Sequence, residues 1–369
     1  MNNINKNIIF ISGGGTGGHL FPAITIGKGL EEMGLRIIYI GSKFGIEKKY
    51  YSENNIKAKL LDIKGIQRNI SIKSFIQNIY FPIRFIKSYF ESIKLIKKYN
   101  PLVIVGTGGY SSGLPLLAGI RMNIPTVIQE QNSIPGLVTK TLYKKVDFTF
   151  VAYDYTKKTL KRKNVILAGN PIRKNLVLTE KIISKQQLGI EPKQKVVFIL
   201  GGSQGSQSFN NHILENIDFY SKNNYHIYLQ CGVNNYSKLY NKFNKYDNVT
   251  LKKFIKNISI VYSASDIVIS RAGALAISEL CFMGKAMILI PYKYAANNHQ
   301  KINAEEIQNQ KACILIDEDN LKKGELENNV INLFSNEKQI TQLEKNSRHI
   351  AYKHSTKNIT EKIKEIANG

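Results

Sequence analysis

The chain has 369 residues, 43% of them hydrophobic, which is enough for two packed domains and too much for one ordinary core. This excludes a disulfide-bonded miniprotein and a disordered chain. The three cysteines, Cys231, Cys281 and Cys313, show neither a pairing pattern nor the spacing of metal ligands, so we expect reduced thiols in a cytoplasmic protein. No run of about 18 apolar residues is found, and the first residues lack the apolar core of a signal peptide. We therefore expect neither a membrane span nor export.

The formal net charge of +25 would by itself suggest a polyanionic partner, such as nucleic acid or an acidic lipid surface. Lysine far outnumbers arginine, and asparagine and isoleucine are also abundant, so a general drift in composition explains the charge equally well. Only a local cluster of charge is therefore evidence for a partner. We expect no nucleic-acid partner and keep a nucleic-acid-binding module as the non-enzymatic alternative.

In chain order, the first predicted element is a strand that leads into a glycine-rich loop and a helix-compatible segment. Residues 7–18 read NIIFISGGGTGG, and the same pattern returns at residues 195–206 as KVVFILGGSQGS. Each is the opening of a strand–loop–helix unit. The repetition predicts that the chain contains two domains of similar design.

Further short apolar runs alternate with longer amphipathic stretches in both halves of the chain. They are Arg36–Ile40, Leu102–Val105, Thr126–Ile128, Phe148–Val151, Val196–Leu200, His226–Gln230, Ile267–Ile269 and Ala286–Ile290. Such alternation is typical of βαβ units with buried parallel strands. We therefore predict an α/β fold of two doubly wound, Rossmann-like domains, residues 1–168 and 169–345. Ligands of such sheets bind at the carboxyl ends of the strands, here in a cleft between the domains.

The loop at residues 13–18, followed by His19, has the composition of an anion-binding loop. Its glycines let backbone N–H groups approach a phosphate at the positive end of a helix, and Pro22 is suited to a first helical position. A dinucleotide fold also needs an acid after the second strand, where this chain has Gly41-Ser42-Lys43. NAD is therefore disfavoured, and an NADP oxidoreductase that uses Lys43 remains a rival.

Two further segments complete a candidate nucleotide site in the second half. Ser203, in the second glycine loop, can donate its hydroxyl to a phosphate, and the loop lacks the Gly-Lys-Ser/Thr ending of a nucleoside triphosphatase. Glu279, in RAGALAISE (271–279), can accept hydrogen bonds from both hydroxyls of a ribose, with a solvated helix position as the alternative.

Polar and glycine-rich segments also follow two strands of the first half. Residues 107–113 form a third glycine-containing loop, and residues 129–132, QEQN, offer amide and carboxylate groups to a sugar. His19 is the only histidine inside a glycine loop. It is a candidate general base, with a purely structural hydrogen bond as the alternative.

A local cluster of charge lies between residues 64 and 98, with eight basic residues and one acid. A stripe of apolar residues at helical spacing, which includes Phe75, Ile79 and Ile83, predicts a helix face in the core. Phe81 and Phe85 lie off this stripe with basic residues between them, so they predict a second, exposed apolar face. Pro82 should interrupt the helix. We therefore expect an anionic membrane surface as partner, with core packing and a solvated basic rim as the alternative.

Seven segments in this order resemble the MurG family of bacterial peptidoglycan glycosyltransferases. They are GGGTGGHLFPA (13–23), GTGGYSSGLP (106–115), EQNSIPG (130–136), GNPIR (169–173), GGSQGS (201–206), RAGALAISE (271–279) and NNHQKINA (297–304). The resemblance implies the two-domain GT-B fold, with a helical segment 346–369 that packs back on the first domain.

The resemblance also implies the reaction and its participants. N-acetylglucosamine would move from UDP-N-acetylglucosamine to the C4 hydroxyl of undecaprenyl-pyrophosphoryl-N-acetylmuramyl-pentapeptide, with inversion to a β-1,4 link. We expect no cofactor. We also expect no metal ion, because helix N-termini, Ser203 and Arg173 can stabilise the leaving UDP and no Asp-x-Asp metal motif is found. The resemblance further implies a peripheral location on the cytoplasmic face of the bacterial plasma membrane, where a cell-wall synthesis complex is a further candidate partner.

Residue roles follow from the resemblance position by position. In the second domain, Ser203 would contact phosphate, Arg173 the nucleotide, Glu279 the ribose and the backbone at Ile255 the uracil. The pyrophosphate and sugar would be lined by Ala274, Leu275, Ala276, Ile277 and Ser278. The sugar hydroxyls would be bound by Gln300 and Asn132. Thr16, Gly17 and Gly18 would close over the donor sugar and the acceptor pyrophosphate. The membrane-docking residues would be Phe75, Ile79, Phe81, Arg84, Phe85 and Lys87, with Lys140, Lys144 and Lys145 as helpers.

The reaction needs a base for the acceptor hydroxyl, and the sequence leaves two candidates open, His19 first and Glu130 second. Some family members have His before the Glu-Gln-Asn motif where this chain has Gln129, and some have Gln where it has His299. A UDP-N-acetylglucosamine 2-epimerase of the same fold is the main rival. The basic aromatic segment argues against it, because a soluble sugar nucleotide needs no membrane surface.

Overall fold

A computed structural model describes residues 7–66, 71–202 and 204–369, except for the side chains of residues 72–74. The chain forms two compact units. Unit 1 comprises the residues up to 172 together with residues 354–369, and unit 2 comprises residues 173–353. The domain limits predicted from the sequence, 168/169 and 345/346, remain predictions.

Unit 1 is built on a parallel sheet of seven strands in the order β3-β2-β1-β4-β5-β6-β7. The strands are β1 (Ile8–Ser12), β2 (Arg36–Ser42), β3 (Ala58–Leu61), β4 (Val103–Gly106), β5 (Thr126–Glu130), β6 (Phe148–Val151) and β7 (Val165–Leu167). The helices are α1 (Gly17–Glu32), α2 (Ile46–Glu53), α3 (Ile72–Ile79), α4 (Phe81–Tyr99), α5 (Tyr110–Arg121), α6 (Leu137–Leu142) and α7 (Asp154–Leu160).

Unit 2 repeats this design with a parallel sheet of six strands in the order β10-β9-β8-β11-β12-β13. The strands are β8 (Lys195–Leu200), β9 (Tyr225–Gln230), β10 (Val249–Lys252), β11 (Ile267–Ser270), β12 (Ala286–Leu289) and β13 (Cys313–Leu315). The helices are α8 (Lys181–Gln187), α9 (Gln207–Glu215), α10 (Ile217–Lys222), α11 (Val233–Phe243), α12 (Ile258–Ala264), α13 (Ala274–Phe282), α14 (His299–Asn309), α15 (Glu325–Ser335) and α16 (Glu337–His349). Short 3₁₀ helices occupy Ala296–Asn298 and Glu318–Lys323.

Helices cover both faces of each sheet, which explains the unbroken apolar runs of the central strands. In β1, Ile9 and Ile11 pack into one core cluster, while Ile8 and Phe10 pack into another on the opposite face. The three cysteines are free and buried. The predicted α/β architecture of two parallel sheets is confirmed.

The last helix, α17 (Ser355–Asn368), belongs to unit 1 although it follows unit 2 in the chain. Ile359 and Ile363 are fully buried in the same cluster as Leu20 and Leu30 of α1. The helices approach closely, because a side-chain carbon placed on Gly29 would lie 2.9 Å from Thr360 Cγ2.

The sequence predicts that Pro22 begins a helix and that Pro82 interrupts one, and only the second prediction is correct. Pro82 lies in the first turn of α4, where it separates this helix from α3. Pro22 was predicted at the first helical position, and this is wrong, because α1 begins at Gly17 and contains Pro22. Pro22 has no N–H, so α1 lacks the hydrogen bond that this position would donate to the Gly18 carbonyl.

His226 makes the stability of unit 2 dependent on pH. The side chain is 6% exposed and its Nε2 atom lies 2.9 Å from Thr250 Oγ1, and burial lowers the pKa of His226 from 6.5 to about 4. As the pH falls below 6.5, His226 is therefore protonated in the unfolded chain, whereas in the folded chain it stays neutral until about pH 4. We expect the free energy of unfolding to fall by up to about 3 kcal/mol across this window. Urea unfolding between pH 4 and 7 measures this, and His226→Gln should flatten the profile; equal slopes for both proteins would contradict the prediction.

Candidate functional site

The loops at the carboxyl ends of β1 and β4 lie against each other in unit 1. Gly108 and Gly109 have φ angles of +104° and +79°, which favour glycine. A side-chain carbon placed on Gly109 would lie 2.3 Å from the carbonyl oxygen of Gly14, and the Gly14 N–H donates to the carbonyl of Gly108 (3.4 Å). The first and third glycine loops of the sequence therefore form one surface.

Glu47 fixes the first glycine loop from inside the protein, a role that the sequence did not indicate. Its carboxylate is fully buried on α2 and accepts hydrogen bonds from the N–H groups of Gly15 (2.8 Å) and Ser42 (2.9 Å). Side-chain carbons placed on Gly14 and Gly45 would lie 2.2 and 2.0 Å from this carboxylate. The Gly15 N–H is therefore not available to a ligand, whereas Thr16, Gly17 and Gly18 stand at the start of α1.

His19 lies in the first turn of α1, half-buried against the loop after β4. Its Nδ1 atom is 3.0 Å from the carbonyl oxygen of Thr107 and 2.9 Å from Gln131 Oε1. The hydroxyl of Thr107 donates to the backbone carbonyl of His19 (2.7 Å). Among the residues that the structure describes, none forms a hydrogen bond with Nε2 of His19.

Glu130, the second candidate base, is buried at the end of β5, and both of its carboxylate oxygens accept hydrogen bonds. One carboxylate oxygen accepts from the backbone N–H of Asn132 (3.1 Å), and the other accepts from the Gly136 N–H (2.8 Å) and the Thr139 hydroxyl (2.6 Å). Asn132 is half-buried, and its side-chain amide also faces Glu130 (3.4 Å). The carboxylate thus holds the loop that carries Asn132.

Gln129, where some family members have His, is buried in the same region. Its Nε2 atom donates to Asn170 Oδ1 (3.1 Å), and the Asn170 amide donates to the carbonyl of Gln131 (3.2 Å). The Ser355 hydroxyl donates to the carbonyl of Asn170 (2.5 Å). Gln129 therefore ties the strand end to the segment that leads out of unit 1.

In unit 2 the loop after β8 lies against the loop after β9. A side-chain carbon on Gly205 would lie 2.0 Å from the carbonyl oxygen of Cys231. Gln230, at the end of β9, donates to the carbonyl of Gly202 (2.8 Å) and accepts from the N–H of Ile255 (2.9 Å). The sequence predicted only that Gln230 lies in a strand. In the structure its side chain links the second glycine loop to the segment at Ile255, both of which were predicted to bind the donor. Ser203 lies outside the described residues.

Glu279 and Arg173 form an ion pair at the second turn of α13. Arg173 Nε and Nη2 lie 2.7 and 2.6 Å from Glu279 Oε1, and the Tyr262 hydroxyl lies 3.4 Å from Oε2. Burial raises the pKa of Glu279 above its usual value, against the opposing effect of Arg173. The side chain of Arg173 is 41% exposed, so it can reach a ligand. The two predicted nucleotide residues are in direct contact.

The remaining predicted donor positions lie at the starts of α13 and α14. Ala274 and Ile277 are buried, so a ligand could meet only their backbone, whereas Leu275, Ala276 and Ser278 are half-buried. The Ser278 hydroxyl donates to the Ala274 carbonyl (2.9 Å). Gln300 is half-buried, and its Oε1 atom accepts from the Tyr292 N–H (2.9 Å).

No Asp-x-Asp motif was expected from the sequence, and this is wrong, because unit 2 contains Asp317-Glu318-Asp319. Each carboxylate has a cationic partner, because Asp317 pairs with Lys301 (3.2 Å), Asp319 with Lys293 (2.7 Å), and Glu318 with the buried Arg271. These carboxylates serve as ion-pair partners in the structure.

The basic aromatic segment exposes a different face from the one predicted. The apolar stripe was predicted to be core, and this is wrong, because Phe75, Ile79, Ile83 and Phe90 are 57–67% exposed. The face of α4 that is buried carries Ser88, Ser92 and Ile96 instead. Small serine side chains allow close approach to a neighbouring element, whereas a stripe of phenylalanine and isoleucine would hold it away.

The residues predicted to dock on a membrane are partly exposed. Phe81 is half-buried and packs edge-on against Tyr110, and Phe85 is 36% exposed. Arg84 Nε lies 3.9 Å and Lys87 Nζ lies 4.0 Å from a carboxylate oxygen of Asp62. Arg68, part of the charge cluster, lies outside the described residues.

Across residues 7–66, 71–202 and 204–369, no helix combines the length and the apolar character that crossing a bilayer requires.

Comparison with known proteins gives the class of this chain. Residues 9–151 match the glycosyltransferase family 28 N-terminal domain and residues 196–364 match its C-terminal domain. The crystal structure of Acinetobacter baumannii MurG has a TM-score of 0.77 at 22% identity and covers 97% of this chain and 99% of its own. A UDP-glucosyltransferase from Polygonum tinctorium has a TM-score of 0.72 at 13% identity over the full length of both chains. The fold and the matched domains define a GT-B glycosyltransferase of family 28.

Curated relatives narrow this class. The UDP-N-acetylglucosamine–N-acetylmuramyl-(pentapeptide) pyrophosphoryl-undecaprenol N-acetylglucosamine transferase of Flavobacterium psychrophilum is 36% identical over 96% of both chains. The enzyme of the same name from Acetivibrio thermocellus is 32% identical over 97% of this chain and 98% of its own. The chain belongs to this family, the MurG family of N-acetylglucosamine transferases. The predicted transferase activity and GT-B fold are confirmed.

Proposed function

We propose that the chain transfers N-acetylglucosamine from UDP-N-acetylglucosamine to the C4 hydroxyl of undecaprenyl-pyrophosphoryl-N-acetylmuramyl-pentapeptide, with inversion to a β-1,4 link. The observation that carries the residue assignment is the environment of the His19 ring. Its Nδ1 edge is held by the loops after β4 and β5, and its Nε2 atom is left without a partner among the described residues. A histidine held in this way is suited to act as a general base.

The donor is assigned to unit 2. Glu279 accepts hydrogen bonds from the ribose hydroxyls, Arg173 contacts the nucleotide, and the backbone at Ile255 contacts the uracil. The Ile255 N–H already donates to Gln230, so we assign the uracil contact to the Ile255 carbonyl. The other donor contacts in unit 2 are Ser203 with phosphate, residues 274–278 with pyrophosphate and sugar, and Gln300 with a sugar hydroxyl. Asn132, which belongs to unit 1, is also assigned to a sugar hydroxyl.

The acceptor is assigned to unit 1. The N–H groups of Thr16, Gly17 and Gly18 bind its pyrophosphate at the positive end of α1, because they begin this helix while Glu47 occupies the Gly15 N–H. His19 Nε2 takes the proton from the C4 hydroxyl as this oxygen bonds to C1 of the sugar. The bond from C1 to UDP breaks at the same time, and the electron pair leaves on the UDP phosphate. Helix N-termini and Arg173 stabilise that charge. Glu130 supports the Asn132 loop in this scheme.

We assign the enzyme to the cytoplasmic face of the bacterial plasma membrane as a peripheral protein, because the proposed acceptor is a lipid, and we propose a cell-wall synthesis complex as a further partner. The exposed apolar side chains of α3 and α4, with basic residues among them, support this location. Apolar side chains enter the lipid interface while cations bind anionic headgroups.

The decisive experiment measures UDP release from UDP-N-acetylglucosamine with and without a lipid-linked muramyl-pentapeptide acceptor. We expect release only with acceptor, together with a disaccharide product. Release without acceptor, or a manno-configured product, would favour the epimerase alternative instead.

Membrane docking is tested with vesicles that contain anionic lipid. We expect the double variant Phe75→Ser/Ile79→Ser to bind at least about tenfold more weakly, because each side chain loses roughly 1.5–3 kcal/mol of apolar burial. Val177→Ser/Leu178→Ser is a matched control, since these side chains are 58% exposed in unit 2. Activity on a short-chain, water-soluble acceptor should not change in either variant. Equal vesicle binding by both double variants would refute the assignment of this surface.

A further inference from the structure

We propose that Gln131 is a positioning residue that selects the tautomer of His19. The inference rests on the proposed role of His19 as the base. It concerns a side chain that contacts the histidine ring on the edge opposite to the reacting nitrogen.

The orientation of the Gln131 amide is fixed by its surroundings. Gln131 is 2% exposed, and its Nε2 atom donates to the backbone carbonyls of Thr107 (2.8 Å) and Gln129 (2.8 Å). If the amide were reversed, its oxygen would face these two carbonyl oxygens, which have no hydrogen to donate. The oxygen of the amide must therefore point towards His19.

This orientation gives His19 Nδ1 a second acceptor beside the Thr107 carbonyl and so strengthens the preference for a proton on that nitrogen. Nδ1 faces two acceptors, the Thr107 carbonyl oxygen at 3.0 Å and Gln131 Oε1 at 2.9 Å. A nitrogen between two acceptors must donate, so Nδ1 is protonated. In a neutral imidazole the other nitrogen, Nε2, then has the free electron pair that a base requires.

The ring is also held in place by packing. A side-chain carbon on Gly108 would lie 2.5 Å from His19 Nδ1, so the ring edge lies directly on the loop backbone. The Thr107 hydroxyl holds the His19 carbonyl at 2.7 Å. Gln131 joins these contacts into one network, because its amide bonds both to the ring and to the Thr107 carbonyl that the ring also uses.

The consequence for the reaction is specific. A His19 ring with its proton on Nε2 cannot accept the proton of the acceptor hydroxyl at that atom, even if the ring lies in the correct place. Gln131 therefore acts on turnover through the histidine, while the residues assigned to the nucleotide, Arg173 and Glu279, belong to unit 2.

The test is ¹⁵N NMR of the full-length protein labelled at histidine, with the His19 resonances assigned from a His19→Asn sample. We expect the wild-type His19 ring to be protonated at Nδ1 and unprotonated at Nε2. In Gln131→Met, Nδ1 keeps only the Thr107 carbonyl as acceptor, so we expect a measurable fraction of the tautomer protonated at Nε2. We also expect a kcat lower by about tenfold or more and an unchanged affinity for UDP. Gln129→Met is the control for the loss of a buried amide. Gln129 does not contact His19, but its Oε1 atom accepts from Gln131 Nε2 (2.5 Å), so we expect a smaller effect than in Gln131→Met.

The outcomes separate this inference from the proposed function. A wild-type His19 protonated at Nε2 would overturn the inference, and this result does not require that any variant folds. An unchanged tautomer and kcat in Gln131→Met, or equal effects in both variants, would also overturn it. A changed tautomer with unchanged kcat would support the selection by Gln131 and refute His19 as the base.

Discussion

His19→Ala is expected to lower kcat by about 10²- to 10⁴-fold, which is the usual contribution of a general base. The affinity for UDP should stay within twofold of the wild type, roughly 0.4 kcal/mol, because the nucleotide residues belong to unit 2. Steady-state kinetics with the lipid-linked acceptor gives kcat, and calorimetric titration with UDP gives the affinity. A normal turnover number would remove His19 from the mechanism.

Glu130→Gln is the companion variant that separates the two candidate bases. An amide keeps one acceptor oxygen, so it cannot satisfy all the donors that now face the carboxylate. We expect a lower melting temperature for Glu130→Gln and a smaller loss of kcat than for His19→Ala. A larger loss of kcat in Glu130→Gln, with the melting temperature unchanged, would reverse the assignment.

Glu279→Gln is expected to weaken UDP binding by about 10- to 100-fold. A hydrogen bond to a charged group contributes roughly 1.5–3 kcal/mol, and the amide also leaves Arg173 without its ion-pair partner. Titration with UDP measures the change. Tyr262→Phe is the control, because it removes only the hydroxyl that lies 3.4 Å from the same carboxylate. Equal affinities for wild type and Glu279→Gln would exclude the ribose contact.

The same residue gives UDP binding a pH dependence in unit 2. Burial raises the pKa of Glu279, so the carboxyl group takes up a proton at a higher pH than an ordinary glutamate. A protonated carboxyl group loses part of its capacity to accept hydrogen bonds from the ribose. The affinity for UDP should therefore decline, as pH is lowered, before ordinary carboxyl groups titrate, and Glu279→Gln should lack this decline.

The central strands of both sheets were predictable from sequence, and the edge strands were not. The four strands without a predicted counterpart are β3, β7, β10 and β13, and each of them is an edge of its sheet. Edge strands are short and only partly buried here, so their residues do not form an unbroken apolar run. The hydrophobic pattern therefore identifies a strand only when helices cover both of its faces.

The loops of the site were predictable because the carboxyl ends of parallel strands meet at one edge of a sheet. The side chains that fix those loops were not. Glu47 contacts Gly15, which is distant in sequence, and no pattern distinguishes it from a surface residue. Gln131 lies in the QEQN segment that was expected to face a sugar, but its contact with His19 was not predictable. The contacts of Gln230 with Gly202 and Ile255 were also not predictable, because the sequence indicates only that Gln230 lies in a strand. The prediction that the apolar face of α4 lies in the core was wrong. Helical periodicity identifies an apolar face, but it does not show whether other protein residues or a lipid surface cover that face.

The position of α17 has a consequence for the order in which the protein is made. Ile359 and Ile363 complete the core of unit 1, yet ribosomes synthesise them after all of unit 2. Nascent unit 1 therefore leaves the apolar face of α1 uncovered while some 180 further residues are added, and unit 2 can close its own core first. Chaperones that bind apolar surface would meet unit 1 during this interval, which ends when the final helix leaves the exit tunnel.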